Sequence, residues 1–217
     1  MWIRDLVRLI KKKDPAIKSF MEVFLYPCFW AILLYKFGRR LYIARLYFLA
    51  RFVSEFARFL TGIEIHPNAK LGKDLFIDHG AGVVIGETCE IGDNVLIYQG
   101  VTLGGTGKDA GKRHPTIGNN VMIGAGAKVL GPFKVGDNVK IGAGSVVLSE
   151  VPPNTTVVGI PARAITREEN KHNSPSDCLD QLHFPDPVQM ELCRLKATVE
   201  KLNARLLKIE KTADKPE

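Results

Sequence analysis

Ile117-Gly118-Asn119-Asn120-Val121-Met122 followed by Ile123-Gly124-Ala125-Gly126-Ala127-Lys128 is one six-residue word written twice. An aliphatic residue opens it, glycine follows, and a small or aliphatic residue stands fifth. Reading outward, the same run opens again at Val129, Val135, Ile141 and Val147. Upstream, a second run opens at Ile85, Ile91, Ile97 and Leu103, with Cys89, Val95 and Val101 fifth. A first run opens at Ile65, Leu71 and Ile77, with Ala69, Leu75 and Ala81 fifth. A two-residue slip separates the first and second runs, and a glycine-rich interruption the second and third. Ordinary alternating strands have period 2 and impose no rule on every sixth residue.

A sustained period of six predicts a parallel β-helix, each word forming one short side of a triangular coil. Three words make a turn of about eighteen residues on that reading. The opening aliphatics stack into an interior ladder, and the small fifth residues Ala69, Ala81, Ala127 and Ser145 fit where the interior narrows. Glycine after the opening residue (Gly72, Gly86, Gly92, Gly118, Gly124, Gly136, Gly142) suits corners where a Cβ would crowd the bend. Hexapeptide coils of this class are left-handed, against the usual crossover rule.

A chain of 217 residues can bury a real core. Its net charge of +7 is uneven: residues 1–60 hold 12 Lys/Arg against 4 Asp/Glu, and the remainder is close to neutral. The simplest reading of the basic end is a helical domain with solvated basic faces, without nucleic acid or membrane. The longest uncharged stretch there, Val23 to Tyr35, contains Pro27 and falls short of the roughly 20 residues a bilayer requires. Four scattered cysteines (Cys28, Cys89, Cys178, Cys193) with no CxxC argue against a disulfide framework and for a reducing cytoplasm. Charges at Arg4 and Asp5 stand where a signal peptide would turn apolar.

Four regions follow. Residues 1–61 read as helices, with Phe20, Phe24, Leu25, Ile32, Leu33, Phe37 and Leu41 at helical spacing. Residues 62–165 form the β-helix with a loop protruding at 104–116. Residues 166–187 are a polar, proline-bearing linker. In 188–217, Leu192, Leu195, Val199, Leu202, Leu206 and Ile209 step by 3 and 4, an a/d seam suited to self-association in a trimer. Packing of that helix back on its own β-helix is the alternative.

The interruption Gly104-Gly105-Thr106-Gly107-Lys108, running on to Lys112-Arg113-His114-Pro115, fits neither a Walker A motif nor GxGxxG. What remains is a loop bringing Lys112, Arg113 and His114 together, a set suited to a carboxylate. Together with Asp78-His79, Val101-Thr102-Leu103, Val121 to Ala127, Asp14-Pro15-Ala16 and Gly159-Ile160-Pro161-Ala162-Arg163, it closely resembles serine O-acetyltransferase. The resemblance covers about residues 11–165. Members of that family move acetyl from acetyl-CoA to the hydroxyl of L-serine, a step that feeds cysteine synthesis.

The resemblance implies roles residue by residue. His79 matches the general base, and Glu64 its dyad partner, where better-known members carry aspartate. Asp14 and Asp78 match positions that bind the serine ammonium or hydroxyl. Arg113 and His114 match those holding its carboxylate, in a cleft between subunits. Gly105, Ala125, Lys140 and Ala143 match positions along the acetyl-CoA groove. No metal is implied. A homotrimer is expected, with a hexamer by another contact as the alternative. The family docks a carboxyl-terminal isoleucine into cysteine synthase, whereas this sequence ends Lys215-Pro216-Glu217, so that partnership is not expected. Other readings are an acetyltransferase of sugars or antibiotics on the same scaffold, a zinc enzyme with histidines across the interface, and a non-catalytic scaffold.

Overall fold

The computed structural model describes residues 3–14, 17–107, 110–165 and, near the carboxyl end, 195–196, 198–203 and 205. Its body is a parallel β-solenoid of about five turns. The first face carries strands Ile63–Ile65, Val83–Ile85, Thr102–Gly104, Lys128–Leu130 and Val146–Val147. The second carries Lys70–Leu71, Glu90–Ile91, Thr116–Ile117 and Lys134–Val135. The third carries Phe76–Ile77, Leu96–Ile97, Met122–Ile123, Lys140–Ile141 and Thr156–Val158, closed by Arg163–Ile165, which pairs antiparallel.

The six-residue rule is the core. Every opening aliphatic from Ile65 to Val147 is buried except Leu71, which is half-buried. Burying such a side chain contributes roughly 1.5–3 kcal/mol, so the ladder is the main store of stability. Fifth residues Ala69, Leu75, Cys89, Val95, Val101, Ala127 and Ser145 are also buried. Ala81 is a correction: it lies exposed, and Gly80 turns inward in its place. A Cβ on Gly80 would stand 2.4 Å from Ile63 Cδ1 and 2.9 Å from Ile77 Cγ2, so any larger residue would have to displace the buried core around it.

Register locates both departures from the period. Ile85↔Leu103 and Val129↔Val147 differ by 18, the length of three words. Ile65↔Ile85 differ by 20, placing two extra residues in the turn after Ile77. Leu103↔Val129 differ by 26, placing eight extra residues between Leu103 and Ile117. The first departure lies at the corner between the third and first faces. The second lies at the corner between the first and second faces. The remaining corner is regular: Asn94, Asn120, Asn138 and Asn154 adopt φ of 55–58° and pass amide hydrogen bonds of 2.9–3.1 Å from coil to coil.

Three helices cover the first coil: α1 (Ile3–Lys13), α2 (Pro27–Ile43) and α3 (Tyr47–Thr61), with a 3-10 turn at Phe20–Leu25. Pro27 opens α2, where its missing N–H costs nothing. Gly62 ends α3 in the left-handed conformation, φ 71°, its N–H donated to the Arg58 carbonyl. Tyr35 Oη and Ser54 Oγ donate to the Ala69 and Ile65 carbonyls at 2.6 and 2.8 Å, docking α2 and α3 on the open edge. The expectation of solvated basic faces is only half right. α3 also presents Phe48, Phe52, Phe56 and Phe59 to solvent, with Phe59 88% exposed. Of the predicted apolar spacing, Phe20, Leu25 and Phe37 are likewise exposed.

Residues 184–217 form a separate compact unit, in which the described residues between 195 and 205 are helical. Leu195, Val199 and Leu202 are more than half exposed on it. Leu192, Leu206, Ile209 and the linker lie outside the described residues.

Candidate active site

The two extra residues after Ile77 widen the turn into Asp78-His79-Gly80-Ala81. His79 takes φ 50° there, and its side chain is 79% exposed. Its Nε2 lies 3.7 Å from Asp78 Oδ1. Burial pushes the Asp78 carboxyl above its usual range; the facing Asp14 adds to this and His79 opposes it. Asp14, just beyond the end of α1, accepts a short hydrogen bond from Tyr26 Oη. That bond, with burial, raises the Tyr26 phenol to about 12, so it remains a donor at any working pH. Two carboxylates and an imidazole thus gather at one corner, an arrangement that favours a cation between them.

Glu64 does not join His79 as the family pattern implies. Its carboxylate faces Arg51 at 3.4 Å and Arg58 at 3.9 Å, both on α3, and makes no hydrogen bond to the imidazole. Two guanidiniums held above the strand outcompete a single exposed imidazole for that charge.

The eight-residue insertion forms the second cluster, which Thr88 organises. Its Oγ1 accepts from the Arg113 and His114 backbone N–H groups at 3.0 and 3.1 Å and lies 2.9 Å from His114 Nδ1. Its N–H donates to the same Nδ1 at 3.2 Å, and its carbonyl accepts from Lys112 Nζ at 2.7 Å. Arg113 forms a short ion pair with Glu87. His114, 8% exposed, packs its ring against Gly86, where a Cβ would sit 2.0 Å from Cδ2 and 2.1 Å from Nε2. Burial, then the adjacent Arg113, push its pKa below the usual imidazole value. His114 is therefore neutral near pH 7, beside a permanent cation.

Of the predicted groove residues, Ala125 and Ala143 share the His79 corner. Coil-to-coil bonds Gly100 N to Ala81 O, Gly126 N to Gln99 O and Gly144 N to Ala125 O align Ala81, Gln99, Ala125 and Ala143 in one column. Three ladder steps of about 4.8 Å make that column about 14 Å long. Lys140 precedes it on the third face, half-buried. Gly105 stands at the other corner, where a Cβ would press 2.9 Å from the Arg113 carbonyl. The candidate residues thus fall into two halves at two corners of one triangular coil.

Residues 114–149 match the bacterial transferase hexapeptide (six repeats) family. The serine acetyltransferase of Staphylococcus epidermidis ATCC 35984 is 52% identical over 200 residues, 92% of each chain. The chain belongs to the serine acetyltransferase family. It is an acyltransferase, and its solenoid is the left-handed parallel β-helix of that family. The Neisseria gonorrhoeae serine acetyltransferase in complex with serine superposes with a TM-score of 0.72 at 44% identity, over 76% of this chain and 67% of that one. The soybean serine acetyltransferase complexed with serine gives 0.72 at 44%, over 75% and 68%. The resemblance seen in the sequence is borne out.

Sequence reading missed Thr88, Glu87 and Tyr26. Thr88 and Glu87 sit in an unremarkable repeat word, and Tyr26 in a loop between helices. Only the folded coil brings them to the loop and to Asp14. Among the described residues, no group of His, Cys, Asp or Glu is arranged to hold a metal ion, and no helix is long and apolar enough to cross a membrane. Cys28 and Cys89 are free thiols, both buried.

Proposed function

We propose that this serine acetyltransferase transfers acetyl from acetyl-CoA to the L-serine hydroxyl, giving O-acetyl-L-serine and CoA for cysteine synthesis in the cytoplasm. The observation that carries the reading is the charge pattern of the two departures from the six-residue period. One holds carboxylates and an exposed imidazole, the other a guanidinium and a neutral imidazole. An amino acid needs both signs of charge, and a sugar acceptor needs neither.

Asp14 and Asp78 take the serine ammonium, while Arg113 and His114 take its carboxylate. His79 accepts the hydroxyl proton as the oxygen attacks the thioester carbonyl. Backbone N–H groups at Gly104–Gly105 stabilise the tetrahedral oxyanion. The intermediate collapses by expelling the CoA sulfur, which receives the proton from His79. The pantetheine arm lies along Ala125 and Ala143, where small side chains admit it, with Lys140 toward a phosphate. Glu64 would orient His79 only by leaving Arg51 and Arg58. A neighbouring copy of the chain supplies the second half of the site, in a homotrimer. Exposed phenylalanines on α3 favour such an assembly, since isolated chains rarely leave large apolar faces uncovered.

The test is release of the CoA thiol from acetyl-CoA with L-serine, L-threonine, amino sugars or no acceptor. Turnover with L-serine well above the others is expected. Equal or greater turnover with amino sugars would move the enzyme to the sugar reading.

A further inference from the structure

Thr88 spends its hydroxyl and its backbone N–H on the Arg113–His114 segment. Its hydroxyl has two acceptor lone pairs and one donor. The lone pairs receive the Arg113 and His114 backbone N–H groups at 3.0 and 3.1 Å. The donor is left for His114 Nδ1, 2.9 Å away. Nδ1 also accepts the Thr88 backbone N–H at 3.2 Å. An atom that accepts from a backbone N–H carries no proton of its own, so the ring proton resides on Nε2. Among the described residues no buried side-chain nitrogen or oxygen lacks a partner, and Nε2 has none there. Nε2 is therefore not sealed from solvent, although the residue is only 8% exposed and the atom packs beside Gly86.

We infer that Thr88 is a positioning residue for the acceptor substrate: it locks His114 as the neutral Nε2–H tautomer and aims that proton, beside Arg113, at the substrate carboxylate. This deepens the proposed function and rests on it for the identity of the ligand, though not for the tautomer. The tautomer matters because only N–H faces a carboxylate productively. In the other tautomer, a lone pair on Nε2 would repel it, and Nδ1–H would collide with the Thr88 N–H. Protonation meets the same obstacle at Nδ1, in keeping with the downward push that burial and Arg113 exert on this ring.

The experiment compares the full chain with Thr88→Ser and Thr88→Val, using nitrogen NMR of histidine-labelled protein and steady-state thiol release. The wild type is expected to show His114 protonated on Nε2 alone at neutral pH. Thr88→Ser retains that signature and the serine KM within about threefold. Thr88→Val loses the hydroxyl at equal volume and leaves the Arg113 and His114 N–H groups unpaired; its backbone N–H still holds Nδ1, so the Nε2–H signature persists while the segment loses its fixed position. Its serine KM rises about tenfold to a hundredfold, while the KM for acetyl-CoA stays within about threefold. A wild-type ring protonated on Nδ1 would overturn the inference outright, even if Thr88→Val does not fold. So would a folded valine variant with unchanged serine KM. Wild-type protein with the Nε2–H signature but no serine-dependent turnover would instead refute the function and leave the tautomer assignment standing.

Discussion

Gly86→Ala is a methyl-sized test of whether the His114 ring position governs activity. A Cβ at residue 86 would sit 2.0 Å from His114 Cδ2 and 2.1 Å from Nε2. Carbon contacts settle at about 3.5–4.0 Å, so the ring must retreat by about 1.5 Å. It cannot tilt freely, because Nδ1 is held by Thr88 from two directions at 3.2 and 2.9 Å. Misplacing a positioning group by about 1 Å costs on the order of a hundredfold in rate. The kcat/KM for serine should therefore fall about 100-fold, mainly through KM, and overpacking should cost about 1–3 kcal/mol of stability. Gly38→Ala is the control. Its new methyl meets Ala50 O at 3.4 Å, an ordinary contact, and activity should be unchanged. Serine kinetics and thermal unfolding on both variants decide the matter. A folded Gly86→Ala enzyme within threefold of wild-type serine KM would show that the His114 position does not matter.

His79→Ala should lower turnover by about 10²–10⁴-fold with an unchanged unfolding temperature, because that side chain is 79% exposed. Tyr26→Phe removes the donor to Asp14 and should raise the serine KM about tenfold, with kcat nearly unchanged. Asp78→Asn should raise the unfolding temperature while weakening serine binding, since the folded state disfavours the Asp78 charge that the substrate needs. Loss of stability in that variant would contradict the assigned burial cost. The same reasoning ranks the carboxylates: Glu64→Gln, whose partners are arginines, should reduce kcat by less than Asp78→Asn. His66 and His114 both have lowered pKa values, burial being the main cause in each. Below the ordinary imidazole value of about 6.5 the unfolded chain binds more protons, so stability should be full above that pH and decline on acidification. Unfolding temperature measured against pH checks the sign.

The solenoid was legible because its rule is local: each opening aliphatic from Ile117 to Val147 is buried where the six-residue count puts it. The count failed at Ala81, since the wider turn after Ile77 changes which residue faces inward, and periodicity carries no information about turn geometry. The motif singled out His79, Arg113 and His114, and the structure places them at the two departures from the period. The Glu64 partners were not legible, because Arg51 and Arg58 approach from a helix docked over the first coil. Thr88 was equally silent, its role set by a loop 25 residues away in sequence.

The proposed function requires each catalytic centre to join the His79 corner of one copy to the Arg113 corner of another. Subunit mixing tests it most directly. His79→Ala and Arg113→Ala chains, each inactive alone, are unfolded together, refolded at equal ratio and assayed for serine-dependent thiol release. In a closed ring assembled at random, about a quarter of the sites would pair an intact His79 with an intact Arg113, and about that fraction of wild-type activity should return. No recovery from well-folded mixed oligomers would mean that both halves act within one chain, contrary to their places on the coil.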